Sequence, residues 1–100
     1  MEKISGIVCS TAHFTIEDNE RLSWLCDSDN GPKIDWIHNT GYGYLIQLNA
    51  YRYPSIAFRE WGVSREFRWF IVTMMRREKL NIINFDKDAE CIDGFAVFDW

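Results

Sequence analysis

Residues 64–85 read SREFRWFIVTMMRREKLNIINF, and their patterning decides the fold. Phe67, Phe70, Ile71 and Met74 recur at i, i+3, i+4 and i+7, and Glu78 closes the series at i+11. That spacing is one face of a helix. Ser64 stands just before it, where a hydroxyl accepts from a free backbone N–H of the first turn. Arg76, Arg77 and Lys79 end it, where cations suit the helix dipole. Leu80 to Phe85 then reads as a strand. A helix with one apolar stripe must bury it, and the strand that follows supplies a sheet to bury it on.

Working toward the N-terminus, Tyr42 to Leu48 alternates with Tyr44, Ile46 and Leu48 on one face. With Ile34 to His38 and the turn Asn39-Thr40-Gly41 it reads as a hairpin. Pro54 ends regular pairing, and Ser55 to Trp61 has the length of a short helix. Lys3 to Cys9 reads as a first strand, followed by the tight link Ser10 to Phe14. Thr15 with Asp18 has capping-box spacing and opens a helix whose stripe is Ile16, Leu22 and Leu25, with Trp24 or Cys26 beside them. Ser28 to Pro32 is loop chemistry and stops it near Asp27. Beyond Phe85, Asp86 to Asp88 is a turn, and Glu90 to Ile92 and Phe95 to Phe98 read as final strands around Asp93-Gly94. The expected order is β-α-β-β-α-β-β. It describes one α+β domain over residues 1–100, with a small mixed or antiparallel sheet and two main helices on one face.

The composition narrows the class. Of 100 residues, 47% are apolar and 16% aromatic, five of them Trp. Such aromatic weight supplies a small core and also feeds interfaces. No apolar run reaches the length of a membrane span. The start MEKISGIVCSTAHF lacks the basic and long apolar regions of a leader. Three widely spaced cysteines do not make a disulfide framework, so reduced thiols in the cytoplasm are expected. Charge is segregated. Residues 52–79 carry seven basic and three acidic side chains, a net of +4, whereas residues 1–51 and 80–100 each carry −4. Segregated charge steers partners.

Few residues form a constellation with chemistry. Cys9 ends an apolar strand and reads as core. No CxxC, HExxH or Cys/His tract is present, so no metal site and no cofactor are expected. His13, just before a helix start, reads as a neutral hydrogen-bonding residue that fixes the link, because the dipole there disfavours its charged form. Ser10, Thr11 and His13, with Asp99 brought from the other end, make a second candidate set for a ligand. The acidic stretch Asp86, Asp88, Glu90 and Asp93 departs from a calcium loop and reads as a solvated rim. Gly41-Tyr42-Gly43-Tyr44 is a hairpin turn, not a nucleotide fingerprint. The second face of the long helix carries Arg65, Arg68, Trp69, Val72 and Arg76, with Tyr51, Arg52, Tyr53 and Arg59 ahead of it. Arginine interleaved with aromatic rings suits protein hot spots and stacked bases alike. The net acidity of the chain favours a protein partner over nucleic acid.

Ser10-Thr11-Ala12-His13 after the first strand resembles a motif at one end of an uncharacterised family of small bacterial proteins carried on plasmids, phages and other mobile elements. At the other end Asn84-Phe85-Asp86-Lys87-Asp88, Gly94 and Phe98-Asp99-Trp100 are similar to that family's tail. Gly31 to Leu80 carries no such likeness. The resemblance implies no catalytic residue. It implies a context, in which small, acidic, aromatic-rich proteins act by analogy as inhibitors of host defence, of the anti-CRISPR or anti-restriction type. The leading expectation is a non-enzymatic cytoplasmic protein that docks on a host protein or complex. Trp69, Arg65, Arg68, Arg76, Tyr51 and Tyr53 would be its contact residues. The alternatives are a small enzyme or ligand-binding domain centred on His13, and an antitoxin-like subunit.

Overall fold

The computed structural model describes residues 3–100; Met1 and Glu2, which belong to the start read above for a leader, lie outside it. Four strands and three helices follow one another as β1 (Gly6–Ser10), α1 (Ile16–Leu25), β2 (Ile37–Asn39), β3 (Gly43–Gln47), α2 (Pro54–Glu60), α3 (Arg65–Glu78) and β4 (Ile82–Asp86). Single 3₁₀ turns lie at Thr11–His13 and Leu48–Ala50. The strands form one mixed sheet in the order β1-β4-β3-β2. β1 runs parallel to β4, and the other two pairs are antiparallel.

Register puts the buried apolar residues of the strands on one face. Cys9, Phe85 and Tyr44 pair across the sheet in one row, and Ile7, Ile83, Ile46 and Ile37 in the next. All but Ile7 are buried. The helices supply Leu22, Leu25, Phe58, Phe67, Phe70, Ile71 and Met74 to the same layer. Phe85, on a central strand, is the hub. Its ring lies 5.4 Å from Phe14, 5.5 Å from Phe67 and 5.7 Å from Phe70. Edge and tilted pairs at such distances suit the ring quadrupoles. The row Val8, Asn84, Leu45 and His38 faces the other way and is exposed or half-buried.

The two long helices begin on one carboxylate. Thr15 and Asp18 close the expected capping box at the start of α1. Asp18 is buried and also accepts from the Ser64 N–H at 2.8 Å and the Ser64 hydroxyl at 2.5 Å. The Ser64 hydroxyl in turn accepts from the Phe67 N–H, which caps α3. A single side chain thus satisfies donors at two helix starts that otherwise have no partner.

Two elements differ from the sequence expectation. Pro54 does not merely end a strand. It occupies the first turn of α2, where a missing N–H is harmless. The two final strands do not form: residues 87–100 contain none. The tail meets the end of β1 and the turn after it by isolated bonds, Ser10 N–H to the Glu90 carbonyl and Phe98 N–H to the Ala12 carbonyl, and Phe95 packs on rings of α3, so Phe95 to Phe98 follows these anchors instead of strand propensity. The observed order is β-α-β-β-α-α-β.

Candidate functional site

The two ends with motif-like sequence meet. Ser10 N–H donates to the Glu90 carbonyl at 3.0 Å, and Phe98 N–H donates to the Ala12 carbonyl at 2.8 Å. The Trp100 indole N–H donates to the Phe14 carbonyl at 2.8 Å. Between these, His13 takes both sides of a turn: its Nε2 accepts from Ile92 N–H at 2.8 Å, and its Nδ1 lies 3.0 Å from the Ala96 carbonyl. An accepting Nε2 and a carbonyl at Nδ1 define the neutral ring protonated at Nδ1. The imidazole is 2% exposed and stacks 4.7 Å from Phe70. Phe95 carries the segment onto α3, lying 4.7 Å from Phe70 and 5.1 Å from Trp69, with the Arg77 guanidinium 5.5 Å from its centroid. Residues 10–14 and 87–100 are therefore two halves of one clasp.

The structure brings together half of the predicted contact residues. Arg65, Arg68 and Trp69 line a groove of about 270 Å³ with Ser55, Ile56, Arg59 and Val72. A second cavity of about 300 Å³ opens on the other side of Trp69, between α3 and the clasp, lined by His13, Arg65, Glu66, Phe70 and Phe95. The Trp69 indole stands between them, 55% exposed. Among the described residues the sole ion pair joins Arg77 to Glu78, so Arg59, Arg65 and Arg68 have no carboxylate partner. Arg68 Nε donates instead to the Val63 and Ser64 carbonyls. The other three predicted residues lie apart. Tyr51 stacks 5.8 Å from Trp36, Tyr53 takes the Arg52 guanidinium over its ring, and Arg76 is exposed; none of them lines either cavity. Ile56 and Arg59 were legible as an i, i+3 pair on the short helix, but nothing local in the sequence turned that pair toward Trp69.

The second candidate set divides. Ser10, Thr11 and Asp99 line a polar cleft of about 640 Å³, with Asn19, Ser23, Asn39, Tyr42, Tyr44, Lys87 and Trp100. His13 is not among its walls. Gly43 sits on its floor because a side chain there would run into the Phe85 carbonyl: a Cβ would come within 1.8 Å of that oxygen. Tyr44 donates to the Asn19 backbone carbonyl and carboxamide oxygen, and burial pushes its hydroxyl up.

Cys9 and His13, the two candidates for nucleophilic chemistry, are both buried. Burial pushes the Cys9 thiol up to about 12, with Cys91 nearby adding to the effect, so no thiolate forms there at neutral pH. Both nitrogens of His13 are held by backbone groups. Among the described residues no group of three His, Cys, Asp or Glu side chains is placed to hold a metal ion, and no helix is long and apolar enough to cross a membrane.

No curated protein and no solved structure matches the chain. One family does, the C-terminal domain of a family of unknown function, DUF5983, and the match runs over residues 6–100. It takes in both halves of the clasp and the middle of the chain, where the sequence carried no likeness. Over nearly its whole length, this chain belongs to the DUF5983 C-terminal domain family.

Proposed function

We propose that the chain is a non-enzymatic accessory protein of a mobile genetic element. It acts in the cytoplasm by binding a host protein complex and inhibiting or modulating it, in the manner of anti-CRISPR or anti-restriction proteins. The observation that carries the binding half is the face around Trp69: a half-exposed indole between two cavities, ringed by Arg59, Arg65 and Arg68 without carboxylate partners among the described residues. Aromatic and arginine anchors at pockets are the residues that dominate protein interfaces. The occupant that fits is an acidic segment of a partner protein, with apolar side chains entering on either side of the indole. The mobile-element context rests on the resemblance at the two ends. The acidic segments outside residues 52–79 make a nucleic-acid duplex the poorer occupant, because they repel the phosphates the arginines attract.

The test is protection of an incoming phage or plasmid from host restriction or CRISPR interference, measured as plating efficiency. The double variant Trp69→Ala, Arg65→Ala loses protection and loses binding to the purified host complex, with its melting curve little changed. Arg68 is spared in that variant because it also caps backbone carbonyls. Protection that survives both changes defeats the reading. Binding to duplex DNA with a steep salt dependence, abolished by the same variant, reassigns the face to nucleic acid.

A further inference from the structure

We propose that the polar cleft beside the clasp binds a neutral ring bearing a vicinal diol, the chemistry shared by simple sugars and ribonucleosides. The cleft opens where β1 and the parallel β4 end at Ser10 and Asp86, the carboxyl ends at which sheets with parallel strands place their ligands. Its volume of about 640 Å³ accommodates one or two rings.

Three features select the ligand. The first is a fixed aromatic platform. The Trp100 indole is 48% exposed, yet its N–H is tied to the Phe14 carbonyl at 2.8 Å, so it presents a face rather than a donor. Tyr42 adds a second ring, 60% exposed, with the Lys87 ammonium 5.8 Å from its centroid. The negative face of such rings attracts the polarised C–H groups on one side of a saturated ring. The second is an unclaimed acceptor. Asp99 forms no ion pair and no hydrogen bond among the described residues, and an ionised carboxylate accepts two adjacent hydroxyls at once. The third is an unclaimed set of donors. Asn19 and Asn39, which line the cleft, use their carboxamide oxygens on Tyr44 and Gly41, which leaves their NH₂ groups without a partner among the described residues and able to donate to a ligand's ring and hydroxyl oxygens. Lys87 and Asp99 offset each other, so the cleft does not select a phosphate or another strong anion.

The full chain labelled with ¹⁵N is titrated separately with glucose, galactose, adenosine and 2′-deoxyadenosine. The Trp100 indole N–H signal is assigned by its loss in Trp100→Phe. The expected result is a saturable shift of that signal and of the Asn19 and Asn39 carboxamide signals, with a dissociation constant of about 1 mM or tighter. Saturation by either hexose assigns a sugar. Saturation by adenosine but not by its deoxy form assigns a ribonucleoside. Asp99→Ala weakens binding roughly tenfold without unfolding the chain. Four flat titrations overturn the proposal, as do equal responses to adenosine and 2′-deoxyadenosine without hexose binding, or an Asp99→Ala variant of unaltered affinity.

Discussion

The clasp and the Trp69 face adjoin on the same helix, meeting where Phe95 packs on Trp69, and treat their polar groups in opposite ways. In the clasp, the Ser10 and Phe98 N–H groups, the Trp100 indole N–H and both nitrogens of His13 all meet backbone partners at 2.8–3.0 Å. On the Trp69 face, Arg59, Arg65 and Arg68 form no ion pair among the described residues, only Arg68 is held, by the Val63 and Ser64 carbonyls, and an indole is left half in water. Satisfied polar groups stabilise a fold, whereas unclaimed ones at an aromatic anchor await an occupant. The residues that looked most like a motif therefore hold the chain together, and those proposed to bind belong to no motif.

The sharpest way to break this contrast is to remove the centre of the clasp. His13→Ala leaves the Ile92 N–H and the Ala96 carbonyl without their partner and opens a cavity against Phe70. It is expected to destabilise the fold by about 3 kcal/mol, read from urea unfolding. Amide exchange at Ile92 and Phe98 rises with it, ahead of exchange in β4. A change under about 0.5 kcal/mol would show the clasp to be ornamental. Asp18→Ala comes next, at about 2 kcal/mol, because it removes a cap from α1 and strands the Ser64 N–H at the start of α3. A loss confined to α1, with α3 exchange unaltered, would break the link between the two helix starts.

Both helices that frame the contrast were legible in the sequence because their signals are local. Periodicity marked the Phe67, Phe70, Ile71 and Met74 stripe, and Ser64 and Thr15 marked the starts. The exposure of Trp69 follows from its place off that stripe. What was not legible is long-range. Gly6 pairs with Ile82, and no local pattern at either strand names a partner so distant in the chain. Phe95-Ala96-Val97-Phe98 has strand propensity, but its anchors decide its course. The grouping of Ser10, Thr11 and Asp99 was anticipated, whereas the separation of His13 from them depends on which way a ring points at a 3₁₀ turn.

Alkali probes the buried layer beneath both regions. Cys9, raised to about 12 in the folded chain against an ordinary thiol value of 9.0, binds its proton more tightly folded than unfolded. Above pH 9 the unfolded chain has lost that proton and the folded chain keeps it, so stability falls as pH rises. The slope is about 1.4 kcal/mol per pH unit up to the folded value. The raised Tyr44 hydroxyl acts in the same sense. Cys9→Ala is expected to flatten the slope between pH 9 and 10, and thiol labelling at pH 8 reaches the exposed Cys91 well before Cys9. A slope unchanged in Cys9→Ala would place the alkaline loss elsewhere.

The smallest stability effect belongs to the face, and it sharpens the comparison most. Arg65 is exposed, ends no hydrogen bond or ion pair among the described residues, and walls both cavities beside Trp69. Arg65→Ala is therefore expected to shift unfolding by no more than about 0.5 kcal/mol. The same change removes a cation from the centre of the proposed docking surface, where truncating an arginine anchor is expected to lower affinity by about 2 kcal/mol, some thirtyfold. Melting curves and partner titration on one variant thus separate the two roles. A variant that loses stability and keeps its partner would place Arg65 with the scaffold and leave Trp69 without its charged neighbour in function.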